Sequence, residues 1–176
     1  LNGIVAEGGD VKMEECSFTS IGFKGAAAVK TESSSITLRG STVRMEEHTE
    51  FSYILRASGG ALDIKNSLFT AGKSFDNIMF DLQEIETEMD SVTLIHGGGD
   101  RISTAVRYSG SHLMLSSSVL SGDPHMGGRA VTLSSVPDSF TIENNLFSGW
   151  PVLLDREEAA PITSVQKLEE PRDPFR

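Results

Sequence analysis

Apolar residues along this chain follow an alternating pattern that breaks and resumes at one fixed place. The recurring unit is apolar, any, apolar, two polar or small residues, a small residue, any, large apolar. Its first copy is Val11, Met13, Cys16, Phe18 and its second is Ile36, Leu38, Ser41, Val43. The third is Leu62, Ile64, Ser67, Phe69, and the fourth is Thr87, Met89, Val92, Leu94. The fifth is Leu113, Leu115, Ser118, Leu120, and the sixth is Phe140, Ile142, Asn145, Phe147. Copies begin at 11, 36, 62, 87, 113 and 140, in steps of 25, 26, 25, 26 and 27 residues. A constant period of this size marks a solenoid, in which no unit buries its apolar face alone.

Inside each copy the alternation has period two, as in a strand whose side chains point to opposite faces in turn. It skips one position before the small residue, which keeps the apolar side chains inward around a corner. The skipped pairs are Glu14-Glu15, Arg39-Gly40, Lys65-Asn66, Asp90-Ser91, Ser116-Ser117 and Glu143-Asn144. These are turn formers suited to a solvent-facing bend. A third alternation precedes each unit, as in Ala27-Val29-Thr31, Tyr53-Leu55-Ala57, Ile78-Phe80-Leu82 and Thr104-Val106-Tyr108. Three short strands per period predict an all-β, single-stranded parallel β-helix of about six coils of 25–27 residues. At about 4.8 Å per coil it would be roughly 29 Å long. Cys16, Ser41, Ser67, Val92, Ser118 and Asn145 then form an inward column whose Ser and Asn members bond neighbouring backbone. The helix spans 1–155, and 156–176, with prolines and mixed charge, reads as a tail or cap over the last coil. Because Leu1 falls part-way through a repeat, a fragment of a longer solenoid is expected.

The units GGDVKMEECSFTS, GGALDIKNSLFTA and SFTIENNLFSG resemble coils of the pectin-lyase-like right-handed β-helix superfamily. They are most similar to its non-pectinolytic members, repeat-rich surface proteins and adhesin passengers. The resemblance covers about residues 4 to 154, and it lies in the repeat grammar rather than in a catalytic motif. It implies the right-handed sense of the coil.

Composition narrows the partners. Fifteen Lys and Arg against 25 Asp and Glu give a net charge of −10 in 176 residues, which argues against nucleic acid or anionic lipid. No run approaches the roughly 20 apolar residues of a membrane-spanning helix. The single cysteine, Cys16, excludes an internal disulfide and is expected to be a small core residue.

The resemblance implies that any working residues stand outward on one strand face. In the first strand of successive coils that column reads Lys30, Arg56, Asp81, Arg107. One reading is a strip for an acidic sugar chain, with Arg56 and Arg107 holding carboxylates and Asp81 a base or metal ligand. The plainer and favoured reading is a solvated ladder of Arg56–Asp81–Arg107 ion pairs, each contributing at most about 1 kcal/mol.

Asp81, Glu84, Glu86, Glu88 and Asp90 gather carboxylates, but calcium needs six to eight converging oxygens. An acidic solvated edge is expected there instead. His96 to Arg101 carries three consecutive glycines. The following residues read as strand rather than the helix a phosphate cradle requires, so this is an exposed connecting loop. His48, His96, His112 and His125 show no ligand spacing, and no metal or cofactor is expected. Leu68, Val119 and Leu146, with Ile95 beside them, form an outward apolar column, and Ile54 and Met79 are expected outward on the first strand. Trp150 reads as packing over the last coil rather than as a sugar platform.

These readings predict no catalytic residues. They favour an exported module, extracellular, cell-surface or periplasmic, that binds a polysaccharide or a surface protein or acts as a spacer. A polysaccharide lyase or hydrolase acting along the charged ladder is the alternative. Self-association through coil ends or the apolar column is a further expectation.

Overall fold

The computed structural model describes residues 2–20, 25–47, 50–122, 128–156 and 159–164. His48, His125 and most of the tail lie outside them. The described chain is a parallel β-solenoid of about six turns, with no helix. Coil one holds β1 (Asn2–Glu14) and β2 (Ser17–Ser20), coil two β3 (Gly25–Arg39) and β4 (Thr42–Met45). Coil three holds β5 (Phe51–Lys65) and β6 (Leu68–Ala71). Coil four holds β7 (Ser74–Gln83), β8 (Glu86–Asp90) and β9 (Thr93–His96). Coil five holds β10 (Gly99–Ser109), β11 (His112–Ser116) and β12 (Val119–Ser121). Coil six holds β13 (Arg129–Leu133), β14 (Ser139–Glu143) and β15 (Leu146–Ser148), followed by β16 (Val152–Arg156) and β17 (Ala159–Ile162).

β1, β3 and β5 run through two faces of the solenoid, whereas the later coils divide the same path between two strands. Register follows the sequence repeat. Phe18, Val43, Phe69, Leu94, Leu120 and Phe147 are stacked neighbours on the third face. Phe69 meets Phe80 of the first face edge-on, with ring centroids 4.9 Å apart, so opposite walls touch through the core.

The first corner has the same left-handed backbone in all six coils. The second residue of each skipped pair has left-handed backbone: Glu15, Gly40, Asn66, Ser91, Ser117 and Asn144, with φ between 51° and 57°. The small inward residue then closes the corner. Ser67 Oγ accepts from Ser41 N at 3.1 Å and donates to Lys65 O at 2.9 Å. Ser118 Oγ accepts from Val92 N at 3.0 Å and donates to Ser116 O at 2.7 Å. Asn145 spans the same gap, accepting from Ser118 N and donating to Leu115 O, both at 2.8 Å. Cys16 occupies the equivalent position in coil one but is exposed, which corrects the expectation of a core thiol. It belongs to the first coil, with a described neighbour on one side only.

A second departure from strict alternation was not read from the sequence. Ala28 and Val29 are consecutive yet both lie in the core, and so do Ile54-Leu55, Met79-Phe80, Ala105-Val106, Ala130-Val131 and Leu153-Leu154. Ile54 and Met79 are therefore buried, at 1% and 0% exposure, and not outward. Two successive inward side chains bend the strand in the sense opposite to a left-handed corner. The first face is thus folded into a shallow crease, with the outward columns on either side brought together. Tyr53 and Arg56 would face opposite ways on a regular strand, yet the Arg56 guanidinium lies 5.4 Å from the Tyr53 ring centre. Arg129 on one wall likewise pairs with Asp155 on the other.

The third corner is a buried polar knot. Asn77 Nδ2 donates to Gly72 O and Gly98 O at 2.7 and 2.8 Å, and its Oδ1 accepts from Ser52 Oγ at 3.0 Å. Gly98 N donates to His96 Nδ1 at 2.9 Å, and His96 Nε2 lies 3.0 Å from Asn77 O. The glycine segment expected as an exposed loop is therefore largely buried, and β10 begins within it. Trp150 is a packing residue: it is 8% exposed, edge-on to His96, and donates to Leu120 O at 3.0 Å. After the last coil β17 turns back and pairs antiparallel with β16, covering its edge, with Pro161 in the covering strand.

Candidate functional site

The crease concentrates charge on an outward column of the first face. The register places Lys30, Arg56, Asp81 and Arg107 side by side and continues to Thr132 and Asp155. All four residues expected in this column are brought together, and their order in depth gives them different characters. Asp81 lies at the bottom with 0% exposure, while the side chains of Arg56 and Arg107 above it are 50% and 33% exposed.

Arg107 grips this carboxylate from one side, with Nε 2.9 Å from Oδ1 and Nη2 2.8 Å from Oδ2. Arg56 Nε stands 3.4 Å from Oδ2 on the other side. Oδ2 is close to both cations but lacks a well-aligned hydrogen bond, so it remains an under-used acceptor. The bond to Asp81 holds the Arg107 pKa above its ordinary value, against the opposing effect of burial. Lys30 turns away to Glu32 at 2.9 Å, and that contact lowers the Glu32 pKa.

A carboxylate so covered is poorly placed as a proton acceptor, because a substrate would have to displace an arginine to reach it. A guanidinium held protonated by that carboxylate is equally unsuited to accept a proton. What the column offers is a pair of oriented cations sharing one submerged anion, with a surplus of one positive charge. Two shallow depressions flank it. One, of 290 Å³, lies between Arg107 and Gln83, Ser109 and Ser134. The other, of 240 Å³, lies between Arg56 and Glu32, Ser58 and Gln83. Gln83 borders both, giving a polar strip beside the ladder.

The other sequence candidates separate. Glu86 and Glu88 stand on the exposed side of β8, while Asp90 accepts from Ser116 Oγ at 2.8 Å. No cluster able to hold a metal ion occurs among the described residues. His112 faces Glu88 at 4.0 Å, an exposed pair on the second face. Leu68, Val119 and Leu146 do share a column, but Thr93 interrupts it, so the apolar strip is discontinuous. Leu146 in this column and Ile95 in the neighbouring one are exposed, at 61% and 44%.

Sequence reading missed the aromatic residues beside the crease. Phe51 lies 5.7 Å from Tyr53, and Phe75, one coil on, lies under the Arg101 guanidinium at 5.3 Å. Arg101 is held by Asp76, its Nε 2.8 Å from Oδ1. The available signal was the repeat step itself: Phe75 and Arg101 are separated by 26 residues, one coil. No family model, curated protein or solved structure matches the chain, so the parallel solenoid rests on its geometry and carries no superfamily assignment.

Proposed function

We propose that this chain is a non-catalytic β-solenoid module of an exported protein, binding an extended carbohydrate along the creased first face. The observation that carries this reading is Asp81, fully buried beneath Arg56 and Arg107. Submerging the anion holds the Arg107 guanidinium with little remaining freedom, which favours binding, and covers the carboxylate expected as a base, which disfavours chemistry at that position. The polar strip of Ser58, Gln83 and Ser109 supplies donors and acceptors for hydroxyl groups beside those cations. Rigid strands suit a ligand that runs along the solenoid axis.

A glycan array followed by calorimetric titration of the hits tests this. Binding that weakens about tenfold in Arg107→Ala, as expected for losing one charge-assisted bond, supports it. Inertness toward every glycan reduces the chain to a spacer. The competing reading, a lyase or hydrolase of acidic glycans, is tested on uronic-acid polymers with and without calcium. Unsaturated or shortened products that disappear in Arg107→Ala would replace the binding role with a catalytic one.

A further inference from the structure

Outside the ladder, one surface patch has the composition of a protein-binding hot spot rather than of a sugar site. It consists of Phe51 and Phe75, 38% and 47% exposed, with Tyr53 and Arg101 around them. Phe51 stands on β5 and Phe75 on β7, and Phe51 is in register with Asp76, so the two rings occupy neighbouring coils. Arg101 on β10 reaches back over Phe75 and is held by Asp76.

Two features define the chemistry that fits. The first is vertical order: the Asp76 side chain is 16% exposed and that of Arg101 62%, so the carboxylate is sunk and the guanidinium presented. In a chain of net charge −10, the exposed partner of this pair is the cation. A guanidinium already fixed by a sunken carboxylate loses little freedom when it meets a second one. The second feature is the identity of the rings. Phe has no polar edge to bond sugar hydroxyls, unlike Tyr or Trp, so two exposed Phe side chains call for an apolar side chain between them. Aromatic residues and Arg are the types enriched in the energetic centres of protein interfaces.

We infer that the Phe51–Phe75–Arg101 patch docks an acidic polypeptide segment, one apolar side chain seated between the two rings and a carboxylate on Arg101. The patch is far smaller than a stable protein–protein interface, so the partner is a linear segment bound weakly rather than a folded surface. Tyr53 also lies under Arg56 and so adjoins the carbohydrate face, but Phe51, Phe75 and Arg101 lie outside it, and their variants test this inference separately.

Synthetic peptides alternating Glu with Leu, Glu with Ser and Lys with Leu, titrated against the whole chain by fluorescence anisotropy, test the inference. The Glu–Leu peptide should bind and the other two should not. Arg101→Ala should weaken that binding about tenfold, the loss of one charge-assisted contact. Phe75→Ala should weaken it roughly fivefold through lost ring contact. Gln83→Ala should leave it unchanged, since Gln83 borders the carbohydrate strip and touches none of these residues. All these side chains are at least partly exposed, and coincident thermal unfolding curves confirm that each variant is folded. Equal affinity for wild type, Arg101→Ala and Phe75→Ala overturns the inference and leaves the carbohydrate reading untouched. Equal binding of the Glu–Ser peptide overturns it too, because charge alone would then suffice. Glycan binding that depends on Phe75 reassigns the patch to carbohydrate.

Discussion

Each coil bends in two opposite senses, and the two kinds of bend make different demands on the sequence. At the first corner the chain turns with a left-handed residue, and every position has its own requirement. One residue tolerates positive φ, and the next, where it is Ser as at Ser67 and Ser118, is an acceptor for the neighbouring coil and a donor to its own backbone. At the crease the chain turns the other way with nothing but two adjacent apolar side chains in the core. One bend is specified by chemical identity and the other by volume alone. It is the second that creates the outward groove.

The largest effect is expected where that comparison is attacked at its weaker side. Met79 is 0% exposed in the crease column. Met79→Ala should cost about 2–5 kcal/mol in urea unfolding, the usual penalty for emptying a well-packed site. Met79→Lys places an ammonium there without a partner and should abolish the cooperative transition. Were Met79 on the outward face of a regular strand, both variants would unfold close to wild type, and the crease would be wrong.

The second prediction concerns a convex corner made without left-handed backbone. On the edge between the first and second faces, Gly8, Ser33, Gly59 and Glu84 have positive φ in coils one to four. Coil five instead uses a side chain. Tyr108 is fully buried, and its hydroxyl donates to Ile85 O at 2.8 Å with His112 O at 2.5 Å. Burial is the main cause that pushes its pKa up to about 12, against an ordinary value of 10.0. The folded state therefore favours the neutral phenol. This stabilisation is complete below pH 10.0 and disappears as pH rises to about 12. Two units at 1.36 kcal/mol each set a ceiling of about 2.7 kcal/mol. Unfolding followed across that window should show the loss in wild type and a flatter profile in Tyr108→Phe. Identical profiles would mean that the hydroxyl contributes nothing at this corner.

The same contrast explains what was legible beforehand. The solenoid, its period and its first corner could be read because Glu15, Gly40, Asn66, Ser91, Ser117 and Asn144 recur in phase with small inward residues. The crease was not legible, because Ala28, Ile54 and Met79 fit an outward position as well as an inward one when alternation is assumed to continue. That assumption put Tyr53 inward and hid the aromatic residues beside the ladder. Lys30, Arg56, Asp81 and Arg107 were placed in one column correctly, since the repeat step fixes lateral neighbours. Their depth was not readable, because the burial of Asp81 follows from the bend and from the arginines lying over it. Cys16 keeps its column position, its N–H bonding Ser41 Oγ at 3.3 Å, but its exposure is not readable from that position.

A smaller effect is expected in the inward column of the first corner. Ser118→Ala removes the acceptor of the Val92 N–H and the donor to Ser116 O while scarcely changing volume. Leaving that amide buried without a partner should cost about 2 kcal/mol in urea unfolding. A cost near zero would mean that the column is filled for size, as the crease is, and the distinction between the two bends would narrow.

The smallest effect tests the left-handed residue itself. Ser91 has φ 56°, where a side chain ordinarily costs about 1–2 kcal/mol. Its hydroxyl makes a 3.2 Å contact with the adjacent Asp90 carboxylate at a half-buried site, and its N–H bonds Ser116 O at 3.1 Å. Ser91→Gly relieves the backbone strain, keeps the N–H bond, and gives back part of the gain through a freer unfolded chain. A net stabilisation of about 0.5 kcal/mol is expected from the urea midpoint. Gly40→Ala at the equivalent position of coil two should move it the other way by about 1 kcal/mol. Opposite signs for these reciprocal changes would establish that backbone conformation, rather than the polar side chain, selects the residue at this corner. If Ser91→Gly instead lost stability as Gly does within an ordinary strand, the Asp90 contact would be the feature holding the turn, and both bends would then depend on side chains.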